Sequence, residues 1–136
     1  MASLPAIHIC LISPAGYVHA DALLDPAQYF AWQFRRLGAD VSLARNVIRH
    51  DAVNFIFGAH LGFPVQHLQG YCYVIVNLEQ VKNARDLLGT QYLDLLKHSI
   101  VVDYDAGNLS EYAKQADDVP LISFGTPAGF TKVKGH

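Results

Sequence analysis

Residues 71–76 read YCYVIV, six positions without a charge and without the in-out alternation of a strand that has one wet face. A strand covered on both sides reads as a continuous apolar block, and such double burial belongs to parallel sheets. The stretch therefore predicts a strand inside a parallel sheet. Residues 6–12 (AIHICLI), 53–57 (VNFIF) and 100–103 (IVVD) carry the same signature, and two further β-rich runs cover 40–44 and 120–124.

Helix chemistry fills the gaps. Asp25 is placed to cap a helix, with Pro26 at its first position and Gln28 at its third; Phe30, Phe34 and Leu37 then share a face before Gly38 ends it. Leu87, Leu88, Leu93, Leu95 and Leu96 give helical periodicity over 80–88 and 90–98, with Gly89 as the break. Asn108 and Glu111 form a second capping-box spacing, opening a short helix to about residue 116. Residues 60–70 hold Pro64 and two glycines, so one helical turn or an irregular loop is expected there instead of a full crossover helix. Strand, helix, strand alternation argues an open, mostly parallel, doubly wound (Rossmann-like) α/β sheet of five or six strands in three layers. The domain is expected to span 1–125, and 126–136 (TPAGFTKVKGH) read as a tail or linker stub.

The composition fits one buried core. The chain has 136 residues, of which 51% are hydrophobic and 16% charged, against about 25% charged in an ordinary globular domain. Disorder is excluded. Ten Lys plus Arg against twelve Asp plus Glu give a net charge of -2 with no basic run, which argues against nucleic acid and anionic membrane as partners. Cys10 and Cys72 each lie in an apolar run and make neither a disulfide framework nor a zinc set. With no signal-peptide pattern and no stretch near the ~20 apolar residues of a membrane span, a cytoplasmic protein is expected.

In a doubly wound sheet, ligands bind outside the carboxyl ends of the strands. The residues that follow those ends are Ser13, Gly16, Tyr17 and His19; Arg45 and Asn46; Gly58 and His60; Asn77, Glu79 and Gln80; and Tyr104, Asp105 and Asn108. They form a polar rim on an apolar protein, although Asn, Asp and Gly are also the ordinary vocabulary of turns. Several chemistries are missing. There is no G-x-G-x-x-G for a dinucleotide, no G-x-x-x-x-G-K-[ST] for a P-loop and no G-x-S-x-G elbow. A phospho-receiver's acids after the first strand are replaced by Ser13 and Pro14, and its lysine after the fifth is lacking.

Of seven histidines, His8 sits inside a strand, His98 closes a helix, His136 is terminal, and His50 and His67 read as loop surface. His19 and His60 follow strand ends, where an imidazole can take a proton from a hydroxyl. Glu79, one of two glutamates, is placed to bind sugar hydroxyls or to fix a neighbouring histidine. These three lack metal-ligand spacing, so no metal site is expected.

The strings ISPAGYVHADAL, VNFIFGAH, VIVNLEQ and VVDYDAGN resemble the amino-terminal, acceptor-side half of GT-B glycosyltransferase-like proteins. In one branch of that family the first strand runs into a loop with a glycine and then a histidine that serves as general base, which the resemblance carries onto Gly16 and His19. It further implies that Asn77, Glu79 and Gln80 edge an acceptor cleft, and the strand-end reading adds Ser13, Gly16, Tyr17, His60, Asp105 and Asn108 as expected ligand contacts. A GT-B enzyme is two to three times this length, and its second half grips the nucleotide-sugar donor. The resemblance therefore implies a sugar or other hydroxyl acceptor as ligand, no cofactor of the chain's own, and inactivity without a donor-binding half, because bringing two reactants together is a main source of catalysis. The rival expectation is a non-catalytic α/β module that binds a protein partner or a second copy of itself through Tyr17, Tyr29, Trp32, Phe55, Phe63, Tyr71 and Tyr73. A small stand-alone enzyme using the same crevice is the third.

Overall fold

The computed structural model describes residues 4–14, 22–62, 65–81 and 90–122. Five strands, β1 (Ile7–Leu11), β2 (Val41–Arg45), β3 (Val53–Phe57), β4 (Tyr73–Asn77) and β5 (Val101–Asp103), form one sheet in the order β2-β1-β3-β4-β5. Every pairing is parallel, with Ile9 opposite both Leu43 and Phe55, Ile56 opposite Ile75, and Asn77 opposite Asp103. The expected open, parallel α/β sheet is thus present. The sixth apolar run contributes a single parallel bridge, from Leu121 to Asp103; residues 123 and 124 lie outside the described residues.

Alternate residues of each strand face opposite layers. Ile7, Ile9, Leu11, Phe57 and Val76 face helix α1 (Leu24–Arg36), whose Ala27, Phe30 and Ala31 sit at helical spacing and are buried. Aromatic rings seal that layer: Phe30 meets Phe57 edge-on at 5.1 Å, and Phe34 lies 5.0 Å from Phe55. Cys10, Ile12, Ile56, Ile75 and Val101 face the other layer, with Tyr92, Leu93 and Leu96 of helix α2 (Thr90–Lys97) and with Leu109 and Tyr112. A Phe or Leu buried in this way contributes about 1.5–3 kcal/mol, so both layers matter to stability.

Several local expectations need correction. Helix α1 begins at Leu24 with Leu23 in the capping position, so Asp25 stands within the first turn, where a carboxylate suits the helix dipole, and does not cap. Gly38 ends the helix as expected, at φ +90 with its N–H donating to the Arg35 carbonyl. Leu37 does not join the buried face: it is 70% exposed, because the helix has already closed at Arg36. Asn108 is not a helix cap. Asp105 caps instead, accepting from the Gly107 N–H at 2.8 Å, and the 3-10 segment Ala106–Tyr112 stops at Ala113, held at φ +60.

The alternation of strand and helix also fails between β2 and β3. Parallel crossovers ordinarily take a dozen or more residues, yet 46–52 return without a helix. This strap runs back beside β1, where the buried His8 bonds Ser42 Oγ at 2.7 Å and the Val47 carbonyl at 2.8 Å. The β3–β4 connection is two short 3-10 turns, Ala59–Leu61 and Val65–Leu68, as its proline and glycines required. Residues 82–89, which hold most of the first predicted leucine-rich helix, and the tail 126–136 lie outside the described residues. No described helix is long and apolar enough to cross a membrane.

Candidate functional site

Because every strand points the same way, the residues that follow β1, β3, β4 and β5 gather along one edge. The deepest group there is Asp103, the last residue of β5, fully buried. Its Oδ1 accepts from the backbone N–H of Tyr104 at 2.7 Å and of Asp105 at 3.1 Å, and from Asn108 Nδ2 at 3.1 Å. Its Oδ2 accepts from the Tyr112 hydroxyl at 2.6 Å and from Asn77 Nδ2 at 3.1 Å. A buried carboxylate is tolerated only when donors replace its water, and these five do so. Burial first, then the Asp103 hydrogen bond, pushes the Tyr112 phenol well above its ordinary range. Burial, then the charges of Asp103 and Glu79, does the same to Tyr92. Both phenols therefore remain donors.

Asn77 and Asn108 carry this frame to the turn after β4. Asn77 Nδ2 and Asn108 Nδ2 both donate to the Glu79 carbonyl, at 3.0 and 3.1 Å. Asn77 Oδ1 accepts from the Glu79 N–H at 3.2 Å and from the Tyr92 hydroxyl at 2.7 Å, and Asn108 Oδ1 accepts from the Val81 N–H at 3.0 Å. The backbone on both sides of Glu79 is pinned from beneath. Its side chain is left to point elsewhere.

That side chain meets His60. Glu79 Oε1 lies 2.9 Å from His60 Nε2, with the carboxylate 36% and the imidazole 12% exposed. His60 sits in the first 3-10 turn after β3, between Gly58 at φ +86 and Gly62 at φ +97, left-handed geometry that favours glycine. Gly58 is also confined: a Cβ there would lie 3.2 Å from the Ile12 carbonyl at the end of β1. The imidazole meets Tyr92 edge-on at 5.7 Å. The hydrogen bond from His60 holds the Glu79 carboxyl below the usual carboxylate value, against the opposing effect of its partial burial. A carboxylate accepts only, so Nε2 carries a hydrogen, and in the neutral ring the lone pair is on Nδ1.

The expected site residues thus divide. His60 and Glu79 come together as a pair at the rim. Asn77 and Asn108, expected to touch a ligand, are fully buried and commit their amides to the turn, so they are the frame and not the lining. Gln80 is exposed beside the pair, and Asp105 caps the turn after β5. Ser13 is tied back: its N–H donates to Asn46 Oδ1 and its carbonyl accepts from Asn46 Nδ2, each at 2.8 Å, with Asn46 itself at φ +58. Gly16, Tyr17 and His19 lie outside the described residues. His8 is a buried strand residue as expected, and His98 is exposed after α2 with Nδ1 on the Asp94 carbonyl at 2.9 Å. His50 stacks on Tyr71 at 4.0 Å.

Sequence reasoning missed Asp103, Tyr92 and Tyr112. A carboxylate closing an apolar block, in IVVDY, was the available sign, because such a charge must be buried with donors. The two tyrosines gave no sign apart from helical spacing. Among the described residues no group of three or more His, Cys, Asp or Glu could hold a metal ion. No protein-family model, curated protein or solved structure matches this chain.

Proposed function

We propose that the chain is the acceptor-binding half of a glycosyltransferase-like protein of GT-B architecture, inactive alone, with its cleft along the carboxyl edge of the sheet. The observation that carries this reading is the His60–Glu79 pair, 2.9 Å apart and partly exposed at that edge. A sugar ring presents hydroxyls that both donate and accept, and a carboxylate beside a neutral imidazole nitrogen offers the complementary acceptors. The strand order β2-β1-β3-β4-β5 is one in which ligands bind at this edge. The resemblance gives the base role to His19 and the donor-binding role to a second α/β half supplying a nucleotide sugar.

Tyr17 and Phe63 lie outside the described residues; among those described, the aromatic residues that the protein-binding alternative relies on are largely engaged within the fold. Phe55 packs on Phe34, Tyr71 on His50, and Trp32 carries the Arg36 guanidinium at 4.7 Å; the Tyr73 hydroxyl is hydrogen-bonded to Ser99 Oγ at 3.1 Å. This supports the cleft reading over a flat protein interface. Saturation-transfer NMR against a panel of methyl hexopyranosides tests it. Transfer to ring protons that disappears in Glu79→Ala is expected, and no transfer from any glycoside would reject the proposal.

A further inference from the structure

The geometry points to His60, held by Glu79, as the group that takes the proton from the acceptor hydroxyl, in place of the His19 that the resemblance assigns. This rests on the sugar-handling reading above. Four observations carry it. The 2.9 Å contact between Nε2 and the Glu79 carboxylate fixes the tautomer and leaves Nδ1 as the basic atom. Among the described residues nothing is hydrogen-bonded to Nδ1. The Glu79 backbone is pinned by Asn77 and Asn108, which lean on Asp103, so the orienting carboxylate is itself held in place. Finally, the imidazole is 12% exposed, so it reaches the surface while most of the ring is shielded from bulk water.

A base oriented through its second nitrogen by a carboxylate is the arrangement that general-base catalysis requires. Glu79 is then a positioning residue, and it also balances the imidazolium that forms. In the step, the acceptor O–H proton passes to His60 Nδ1 and the freed oxygen pair bonds to the anomeric carbon of a nucleotide sugar. The bond from that carbon to the nucleotide's phosphate oxygen breaks, and its electrons leave with the phosphate. The titratable groups packed against the imidazole are Glu79 from the turn after β4 and Tyr92 from α2, with Asp103 behind them.

The test uses the 15N-labelled chain and a methyl glycoside that shows saturation transfer. In the free chain, His60 is expected as the Nε2–H tautomer; on adding glycoside, its Nδ1 resonance should move. Affinity should fall about tenfold in His60→Gln, the equivalent of one lost hydrogen bond, while His98→Ala, at an exposed histidine after α2, binds as before. In Glu79→Gln the His60 tautomers should mix, a change that a merely structural carboxylate would not produce. An Nδ1–H tautomer in the unmodified chain overturns the inference without any variant. Glycoside binding that leaves Nδ1 unmoved, or that is lost in His19→Ala and kept in His60→Gln, overturns it and leaves the sugar reading standing. If no glycoside binds, both fall.

Discussion

Two buried polar clusters lie at opposite edges of one sheet, the first on β1, β2 and β3 and the second at the ends of β4 and β5, and they end differently. Over the amino-terminal half of β1, His8 spends both ring nitrogens inside the protein, on Ser42 Oγ and the Val47 carbonyl, while Arg49 Nη1 donates to the same Ser42 Oγ at 2.7 Å. Asn54 closes that cluster: its Oδ1 accepts from the Arg49 N–H, and its Nδ2 donates to the carbonyls of Arg49, Ala52 and Cys72. The partners of His8 and Asn54 lie within the protein, although Arg49 itself continues outward to the exposed Asp51 at 2.6 Å, and the product is a strap held to a sheet. At the carboxyl edge, Asp103, Asn77 and Asn108 are as deeply buried and as fully bonded, but the chain of bonds runs outward and stops at His60 and Glu79 on the surface. Buried polar groups cost stability unless satisfied. The first cluster uses that expense to replace a crossover helix, the second to hold an exposed pair still.

Breaking the frames should cost most. Asp103→Ala orphans two amides, a phenol and two backbone N–H groups, and at about 1–3 kcal/mol per unsatisfied buried group even partial rehydration leaves a loss of about 4 kcal/mol or more, read by urea unfolding. Asn54→Ala strands the backbone of the strap and should cost about 2–3 kcal/mol on the same grounds. Gly58→Ala forces a side chain into left-handed geometry against the Ile12 carbonyl, and should cost about 1–3 kcal/mol while disturbing the His60 turn.

The smaller effects sharpen the contrast. Cys10 lies beneath the strap, and burial pushes its thiol up to about 11, whereas Cys72 is exposed. At pH 8 a thiol reagent should label Cys72 alone, and His8→Ala should open Cys10 to it, as mass spectrometry would read. Because the folded thiol titrates above its usual 9.0, its contribution is complete below pH 9 and drains away towards pH 11. Glu79 has the opposite sign. Its folded pKa is below the usual 4.5, so the pair's contribution is intact above that value and fades as pH drops beneath it. Glu79→Gln should flatten the acid limb of the stability curve.

The sheet was legible in the sequence because double burial leaves an unbroken apolar run: all four such runs became strands, as did the β-rich run at 40–44. The β2–β3 strap was not legible: residues 46–52 carry no mark that they replace a helix, since His8, which holds Val47, lies in a strand 39 residues away and Asn54 reads as an ordinary strand residue. The rim was legible as a set, from the parallel topology, but the division into lining and frame was not. Nothing local distinguishes Asn77, sealed beneath the turn, from Glu79 two residues later. What separates them is Asp103, whose need for donors draws both asparagines inward.

Unfolding and glycoside titration of His60→Ala, run beside His8→Ala, test most directly whether the carboxyl-edge pair serves a ligand and not the fold. The account predicts that His60→Ala loses under about 1 kcal/mol of stability, as a partly exposed polar contact should, together with its glycoside binding, while His8→Ala loses about 2 kcal/mol from its orphaned partners and still binds. A His60→Ala chain that is as destabilised as His8→Ala and binds glycoside undiminished would contradict it.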